Sequence, residues 1–417
     1  MHPPSPSSPR AAPAPEVRVV VVDGEVEALD DHAAAWAALG RMQLPGAVLP
    51  FMSLPWVAAH FLHKLEAGET WRCHLAYAGE DLVGVMPLVR TPHRLLGSRR
   101  PWLRVPANFY LTDGRPLLAP GREDEVLRAL LASLRRRERP FLGLRLGAVP
   151  SDAPIRAVLA RRAPGVVLDA YDLDGRLIRV PPPDGDWRAR LHRNFRRNLR
   201  KARNRVRAIP APSLAILRGK EADPAFLEAF MDLEAAGWKG ERGQPIRGLA
   251  VGVAFYRALV RRLAGAGMVE WPRLDVDGHL AAAHLAVRSG RTLTLVRIAY
   301  DETHRRLSPG NVLLAEVIDR VQAEGDADVI HCVTDMPWHD DWAMERMHYH
   351  QVKWFPPRPL PLLAGALPQA AHQAAARIPG ARTLWHRLRD RVAPKGAADA
   401  GSACLAPART EDDDPER

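Results

Sequence analysis

Apolar residues recur along the chain with two periods. VRVVVVDG, residues 17–24, is a continuous apolar run closed by a turn; it predicts a buried strand from Val17, with an amphipathic stretch following from Glu25 to Leu39. A helix around Trp56 to Leu65 comes next. In WRCHLAYAGEDLVGVMPLVR the alternation breaks at residues 79–81, which predicts a hairpin with a strand on either side. A helix from Glu123 to Arg136, a strand at FLGLRLGAV and a short helix from Ala153 to Arg162 complete the first half.

The second half repeats this order. A strand near Leu177 to Val180 leads into an arginine-rich helix, LAILRG supplies another strand, and helices are predicted at Pro224–Ala236 and 252–264. MVEWPRLDVDGHLAAAHLAVRSGRTLTLVRIAY reads as three strands joined by Asp-Gly and Ser-Gly turns. A helix from Pro309 to Glu324, stopped by Gly325, and a strand at VIHCVT follow. Each half therefore holds a hairpin with a strongly apolar second strand, then a helix and a strand, the pattern of a duplicated unit. The expected fold class is α/β (α+β), two tandem domains of mixed, mostly antiparallel sheet flanked by helices. The expected boundaries are a disordered leader at 1–16, a first domain at 17–170, a second at 171–358 containing the basic helix 187–207, a helical extension at 359–394 and a disordered, finally acidic tail at 395–417.

Composition narrows the partners. The 417 residues carry a net charge of +11, which favours anionic partners and leaves phosphorylated cofactors, acidic glycans, tRNA and lipid headgroups all open. Cys73, Cys332 and Cys404 are odd in number and widely spaced, so neither a disulfide framework nor a zinc knuckle is expected. The N-terminal MHPPSPSSPRAAPAPEV lacks the apolar core of a secretion signal, and no run approaches 18 apolar residues. The expectation is a cytoplasmic chain without integral membrane association.

The richest segment for chemistry is IAYDETHRRLSPGNVLLAEVIDRVQAEG, residues 298–325. A strand runs into a turn that opens a helix, with Ser308 at the N-cap, Pro309 at the first helical position and Gly310 next. Leu313, Leu314, Val317, Ile318 and Val321 form one apolar face, so the helix should lie on the sheet with its N-terminus at the strand's C-terminal end. The first N–H groups of such a helix lack internal partners and sit at the positive end of its dipole, so an anion is favoured there. Gly310 permits close approach, and Arg305 and Arg306 add full charges. A plain structural cap is the competing reading.

On these residues the chain resembles the GCN5-related N-acetyltransferase (GNAT) superfamily, whose signature here is Arg/Gln-x-x-Gly-x-Gly/Ala. Arg305, Ser308 and Gly310 stand at its positions, with Ser308 in place of the first glycine. Four segments in order, Trp187 to Arg207, LEAAGWKGERGQPI (233–246), FYRALVRRLAGAG (255–267) and AYDETHRRLSPGNVLL (299–314), resemble the CelD/BcsL-like or BioF2-like acetyltransferases, a double-GNAT branch related to the FemAB aminoacyl transferases. This resemblance covers residues 185–355; the first half matches only in layout. It implies transfer of an acyl group from acetyl-CoA or another acyl-CoA, as co-substrate, to an amine or hydroxyl of a small-molecule or saccharide acceptor such as a polysaccharide precursor.

The coenzyme's diphosphate would sit on Ser308, Pro309, Gly310 and Asn311, supported by Arg305 and Arg306. A backbone N–H around Val296 to Ile298 would meet the developing oxyanion. Direct attack needs a base, for which Asp301, Glu234, His284 and Asp335 are candidates, while Tyr300 could reprotonate the leaving thiolate. Three of these have a plainer reading: Asp301 as a turn residue, Glu234 as a partner of Lys239, His284 as a core histidine. Trp238 and Lys239 could wall the acceptor. The family's Lys soon after the final Asp is missing, since DMPWHDDWAMERMHYHQVKW offers His339, Asp340 and Asp341 there. The irregular spacing of His339, Asp341, His348 and His350 gives no metal motif, and no metal is expected.

RLHRNFRRNLRKARNRV, residues 190–206, contains nine basic side chains, counting His192, and no acidic one. Leu191, Phe195, Leu199, Ala202 and Val206 form a single stripe that must dock, fixing the arginines in an array. Arg197 and Arg200 are expected in a cationic wall that attracts coenzyme phosphates or an anionic acceptor. Two other readings stay open: a FemAB-like transferase drawing on aminoacyl-tRNA, and a non-catalytic module that binds nucleic acid or membrane through this helix.

Overall fold

The computed structural model describes residues 15–43, 50–95, 98–106, 114–209, 212–237, 245–248 and 250–376. Twelve strands form the path of one sheet among these residues. In the first half they are β1 (Val17–Val22), β2 (Thr70–Ala78), β3 (Asp81–Thr91), β4 (Trp102–Arg104), β5 (Leu144–Pro150) and β6 (Val166–Arg179). In the second they are β7 (Ser213–Arg218), β8 (Val269–Val276), β9 (His279–Ser289), β10 (Thr292–Tyr300), β11 (Val329–His331) and β12 (Glu345–Phe355). Their order across the sheet is β1-β2-β3-β4-β5-β12-β6-β11-β10-β9-β8-β7, and a two-residue strand, Leu117–Leu118, pairs with β3 off this path.

That order is a duplication with its last strands exchanged. Within each half, strands one to five are neighbours in sequence order, but β12 pairs with β5 of the first half and β6 pairs with β11 of the second. The two exchanged strands pair with each other, antiparallel, from Glu345↔Leu177 to Phe355↔Val166. The division expected at 170/171 therefore falls inside β6, and the halves share one continuous sheet. Only β4/β5 and β10/β11 are parallel. In each of those pairs a helix crosses over, as parallel neighbours require: α3 (Glu123–Arg137) and α8 (Pro309–Glu324).

Turn chemistry fixes the central hairpins. Asp277 and Gly278 both adopt positive φ, 51° and 77°, between β8 and β9, as a two-residue hairpin turn demands. Gly325 (φ 62°) ends α8, its N–H bonding to the Val321 carbonyl. The remaining longer helices are α1 (Ala33–Arg41), α2 (Leu54–His63), α4 (Pro154–Arg162), α5 (Arg193–Arg207), α6 (Phe226–Ala236), α7 (Ala250–Gly265) and α9 (Leu367–Ala376), with a four-residue helical turn at Trp338–Asp341. One apolar core runs from α2 of the first half to α7 of the second, where Trp56 and Phe255 meet edge to face at 6.2 Å. Leu191, Leu199, Ala202 and Val206 are buried under α5, and Phe195 packs partly buried beside them, so the expected stripe docks α5 onto α8. Among the described residues, no helix is long and apolar enough to cross a membrane. Residues 1–14 of the expected leader, the tail and residues 377–394 of the expected extension lie outside the described residues.

Candidate functional site

Strands β10 and β11 pair only at Thr292↔Val329, Leu293↔Ile330 and Thr294↔His331. Past that point β11 ends, while β10 runs on to Tyr300. The β9–β10 ladder also shifts register between Leu285 (opposite Arg297) and Ala286 (opposite Leu295), leaving Val296 as an extra residue. A bulge of this kind bends and twists a strand, so β10 diverges from its parallel neighbour.

A cavity of about 460 Å³ opens where the strands part, in the range typical of small-molecule sites. Its floor is Leu295, Ile298, Ala299 and Tyr300 of β10 and His284 of β9; one wall is Arg305 with the α8 start at Ser308, Pro309, Gly310, Asn311 and Leu314; the other is Met336 and Trp338. Eight of the residues singled out by sequence thus meet in one place: His284, Ile298, Tyr300, Arg305, Ser308, Pro309, Gly310 and Asn311.

The α8 start departs from the sequence expectation in one respect. Ser308 does precede the helix, and its carbonyl accepts the Val312 N–H at 3.0 Å. Yet its backbone is left-handed (φ 50°, ψ 53°), and its side chain makes no capping bond. The reason lies on both sides of it. A 3-10 turn over Glu302–Leu307 must reverse into α8, and Pro309 disfavours the right-handed helical region for the residue before it. Since Pro309 has no N–H, the amides of Gly310 and Asn311 are the first-turn donors without intrahelical partners. Gly310 lies against the Tyr300 ring, where an added Cβ would stand 3.3 Å from Cδ1. No carboxylate occupies this first turn. The counterpart helix of the first half, α3, begins with Glu123, Asp124 and Glu125, so only the α8 start of the duplicated pair suits an anion.

The other candidates separate. Burial, aided by the charge of Glu302, pushes the Tyr300 phenol above its usual range, so it keeps its proton at neutral pH. Asp301 does not line the cavity. Burial raises its pKa, but bonds from the Thr303 N–H (2.8 Å) and hydroxyl (2.7 Å) and from His304 (2.9 Å) outweigh this and hold it below the usual carboxylate range. It caps the 3-10 turn. Glu234 is buried, paired with Arg297 and accepting the Ile246 N–H at 2.9 Å, while Lys239, the partner of its plainer reading, lies outside the described residues. This carboxylate ties α6 to β10 and to Ile246, outside the cavity.

Asp335 is held by Arg176 of β6 at 2.6 Å, and the same guanidinium reaches Asp340 at 2.8 Å and the Met344 carbonyl at 3.2 Å. An exchanged strand therefore staples the segment carrying Met336 and Trp338. Val296 packs into the main core and Arg306 is exposed; neither side chain lines the cavity. Trp238 and Lys239 lie outside the described residues, though an added Cβ at the preceding Gly237 would stand 3.1 Å from the Tyr300 carbonyl oxygen.

Leu295, Leu314, Met336 and Trp338 were not foreseen as site residues. They are apolar wall residues drawn from separate elements, and only the parting of β10 and β11 brings them together. His331, at the end of β11, donates to the Tyr349 hydroxyl at 2.7 Å while its Nδ1 accepts the Val333 N–H. His339 Nδ1 accepts the Met336 N–H at 2.9 Å. Burial lowers both rings to about 4, with His339 adding to the shift of His331 and Arg176 to that of His339, so both are neutral braces of the second wall. His348 and His350 pair instead with Asp174 and Asp169.

A second recess, of about 600 Å³, lies along α5 and is lined by seven arginines between 188 and 207, including Arg197 and Arg200, with Leu199 and Asn204.

Residues 193–340 match the family model of the acetyltransferase (GNAT) domain, a span that runs from α5 through the cavity to the Trp338 wall. Among solved structures, FemX superposes with a TM-score of 0.55 at 12% identity, covering 82% of this chain and 99% of that one, a likeness of fold. A tandem GNAT protein from the clavulanic acid biosynthesis pathway (TM-score 0.44, 14% identity, 82% and 100% covered) is also similar. So is the C-terminal domain of a putative lysylphosphatidylglycerol synthetase from Agrobacterium fabrum (0.49, 8%, 78% and 92%). No curated protein matches the chain in sequence.

Proposed function

We propose, taking residues 193–340 as a GNAT acetyltransferase domain, that the protein transfers an acyl group from an acyl-coenzyme A thioester directly to an amine or hydroxyl, without a covalent enzyme intermediate. The observation that carries this reading is the junction of an anion-suited helix start with a cavity opened by parting strands, with a protonated tyrosine between them. Gly310, Asn311 and Arg305 would hold the diphosphate. The β10 backbone beyond the bulge would donate to the thioester carbonyl oxygen as negative charge gathers there. Of the four candidate bases, His284 is the one that lines the cavity, and it would accept the acceptor's proton. Tyr300 would return a proton to the departing sulfur. The acceptor we propose is a saccharide amine or hydroxyl, following the CelD/BcsL-like resemblance.

Calorimetry with acetyl-CoA, followed by mass spectrometry of acetylated acceptors, tests this reading. Micromolar binding with a large loss of turnover but not of affinity in Tyr300→Phe supports it. Absence of coenzyme binding, with binding of aminoacyl-tRNA instead, would replace the thioester by the FemAB-like donor.

A further inference from the structure

We propose that the arginine face of α5 binds a linear acidic polysaccharide, laid along the helix. Of the seven arginines in the recess, two are neutralised: Arg188 pairs with Asp319, and Arg203 with Asp319 and Glu316. Arg193, Arg196, Arg197, Arg200 and Arg207 have no carboxylate partner among the described residues. They stand three, one, three and seven residues apart on one side of the helix, over a total of about 21 Å along its axis. The array is rigid, because Leu199, Ala202 and Val206 beneath it are buried at 2–5% exposure. Like charges fixed at that spacing raise the energy of the free state, and a ligand bearing a repeated anionic group relieves it.

The lining chemistry selects among polyanions. No aromatic ring lines the recess, so single-stranded nucleic acid would lack the stacking platform it uses. Duplex readers set such a helix within a compact helix-turn-helix or zipper, whereas α5 packs its apolar stripe on α8 beside the sheet. Guanidinium groups donate and never accept, and Asn204 supplies the one side-chain acceptor, so the N–H groups of an acidic peptide would go unpaired. A chain rich in carboxylates or phosphodiesters and hydroxyl oxygens meets an all-donor wall without that cost. The recess and the cavity rest on shared apolar packing. Leu199 shares a core with Leu295 and Leu314, and Val206 packs on Val312 and Leu313 beside the α8 start. A role for the polymer as acceptor rests on the acyltransferase reading, whereas its binding does not.

The test uses the full chain and fluorescent oligogalacturonate or a phosphodiester-linked glycan, with poly-L-glutamate, single-stranded RNA and duplex RNA as competitors, at two salt concentrations. Arg197→Glu with Arg200→Glu should weaken glycan binding more than tenfold and leave acetyl-CoA affinity unchanged. The equal charge change in Arg136→Glu with Arg161→Glu, on α3 and α4, should cost less than threefold. Whether the carboxylate or the phosphodiester polymer binds more tightly identifies the anionic group. Unchanged glycan binding in the α5 variant, equal loss in the control, or preferential binding of either RNA or of polyglutamate overturns the proposal. Glycan binding by a protein that fails to bind acetyl-CoA upholds the site and sinks the acyltransferase reading alone.

Discussion

Placing a carboxylate at the α8 start separates binding of an anion from mere helix capping. In Gly310→Asp the new Cβ stands 3.3 Å from Tyr300 Cδ1, a contact the ring accommodates by moving a few tenths of an ångström. The carboxylate then sits in a first turn that has no acidic residue, where it gains about 0.3–1 kcal/mol from the helix dipole. Folding stability should therefore hold or rise. Coenzyme binding should do the opposite. A phosphate about 5 Å from the new charge, at an effective dielectric near 20, is repelled by about 3 kcal/mol, and partial solvent screening reduces this to about 2. That corresponds to roughly a thirtyfold weaker Kd. Gly310→Ala isolates the crowding and should cost less than about tenfold. Thermal unfolding and calorimetric titration with acetyl-CoA give the two readouts. An aspartate variant that binds the coenzyme as tightly as the native protein would show that no diphosphate rests on this turn, and a cap of purely structural meaning would be left.

Three further outcomes follow from the same geometry. Ser308→Gly should raise stability by up to about 1 kcal/mol, because the left-handed backbone costs a non-glycine residue about 1–2 kcal/mol and glycine gives back part of that in unfolded-chain entropy; a destabilised variant in urea titration would contradict this. Glu234→Gln leaves Arg297 buried beside a neutral partner and should cost about 3–5 kcal/mol; a fully stable variant with abolished turnover would instead place Glu234 in the chemistry. His331 and His339, held near 4 against about 6.5 in the unfolded chain, bind protons preferentially when unfolded, so their contribution is intact above pH 6.5 and is lost as pH falls toward 4. At pH 5 the loss is about 2 kcal/mol per ring, and a urea midpoint that stays constant from pH 7.5 to 5 would refute it.

Local sequence alone determined much of this protein. The 309–324 helix and its Gly325 stop, the 277–278 turn and the stripe beneath the arginines are set by interactions between residues a few positions apart, and Pro, Gly and the apolar period record those directly. The anion-suited helix start was legible for the same reason. Tertiary structure decided the rest. Which carboxylate is free depends on partners distant in sequence, and so Glu234 proves to be bound to Arg297 while His284 faces the cavity. The exchange of β6 and β12, the bulge at Val296 and the wall brought in by Met336 and Trp338 arise from strand pairing between segments up to 189 positions apart, as at Phe355↔Val166. Side-chain period places a residue on a face; only pairing across the sheet decides what that face meets.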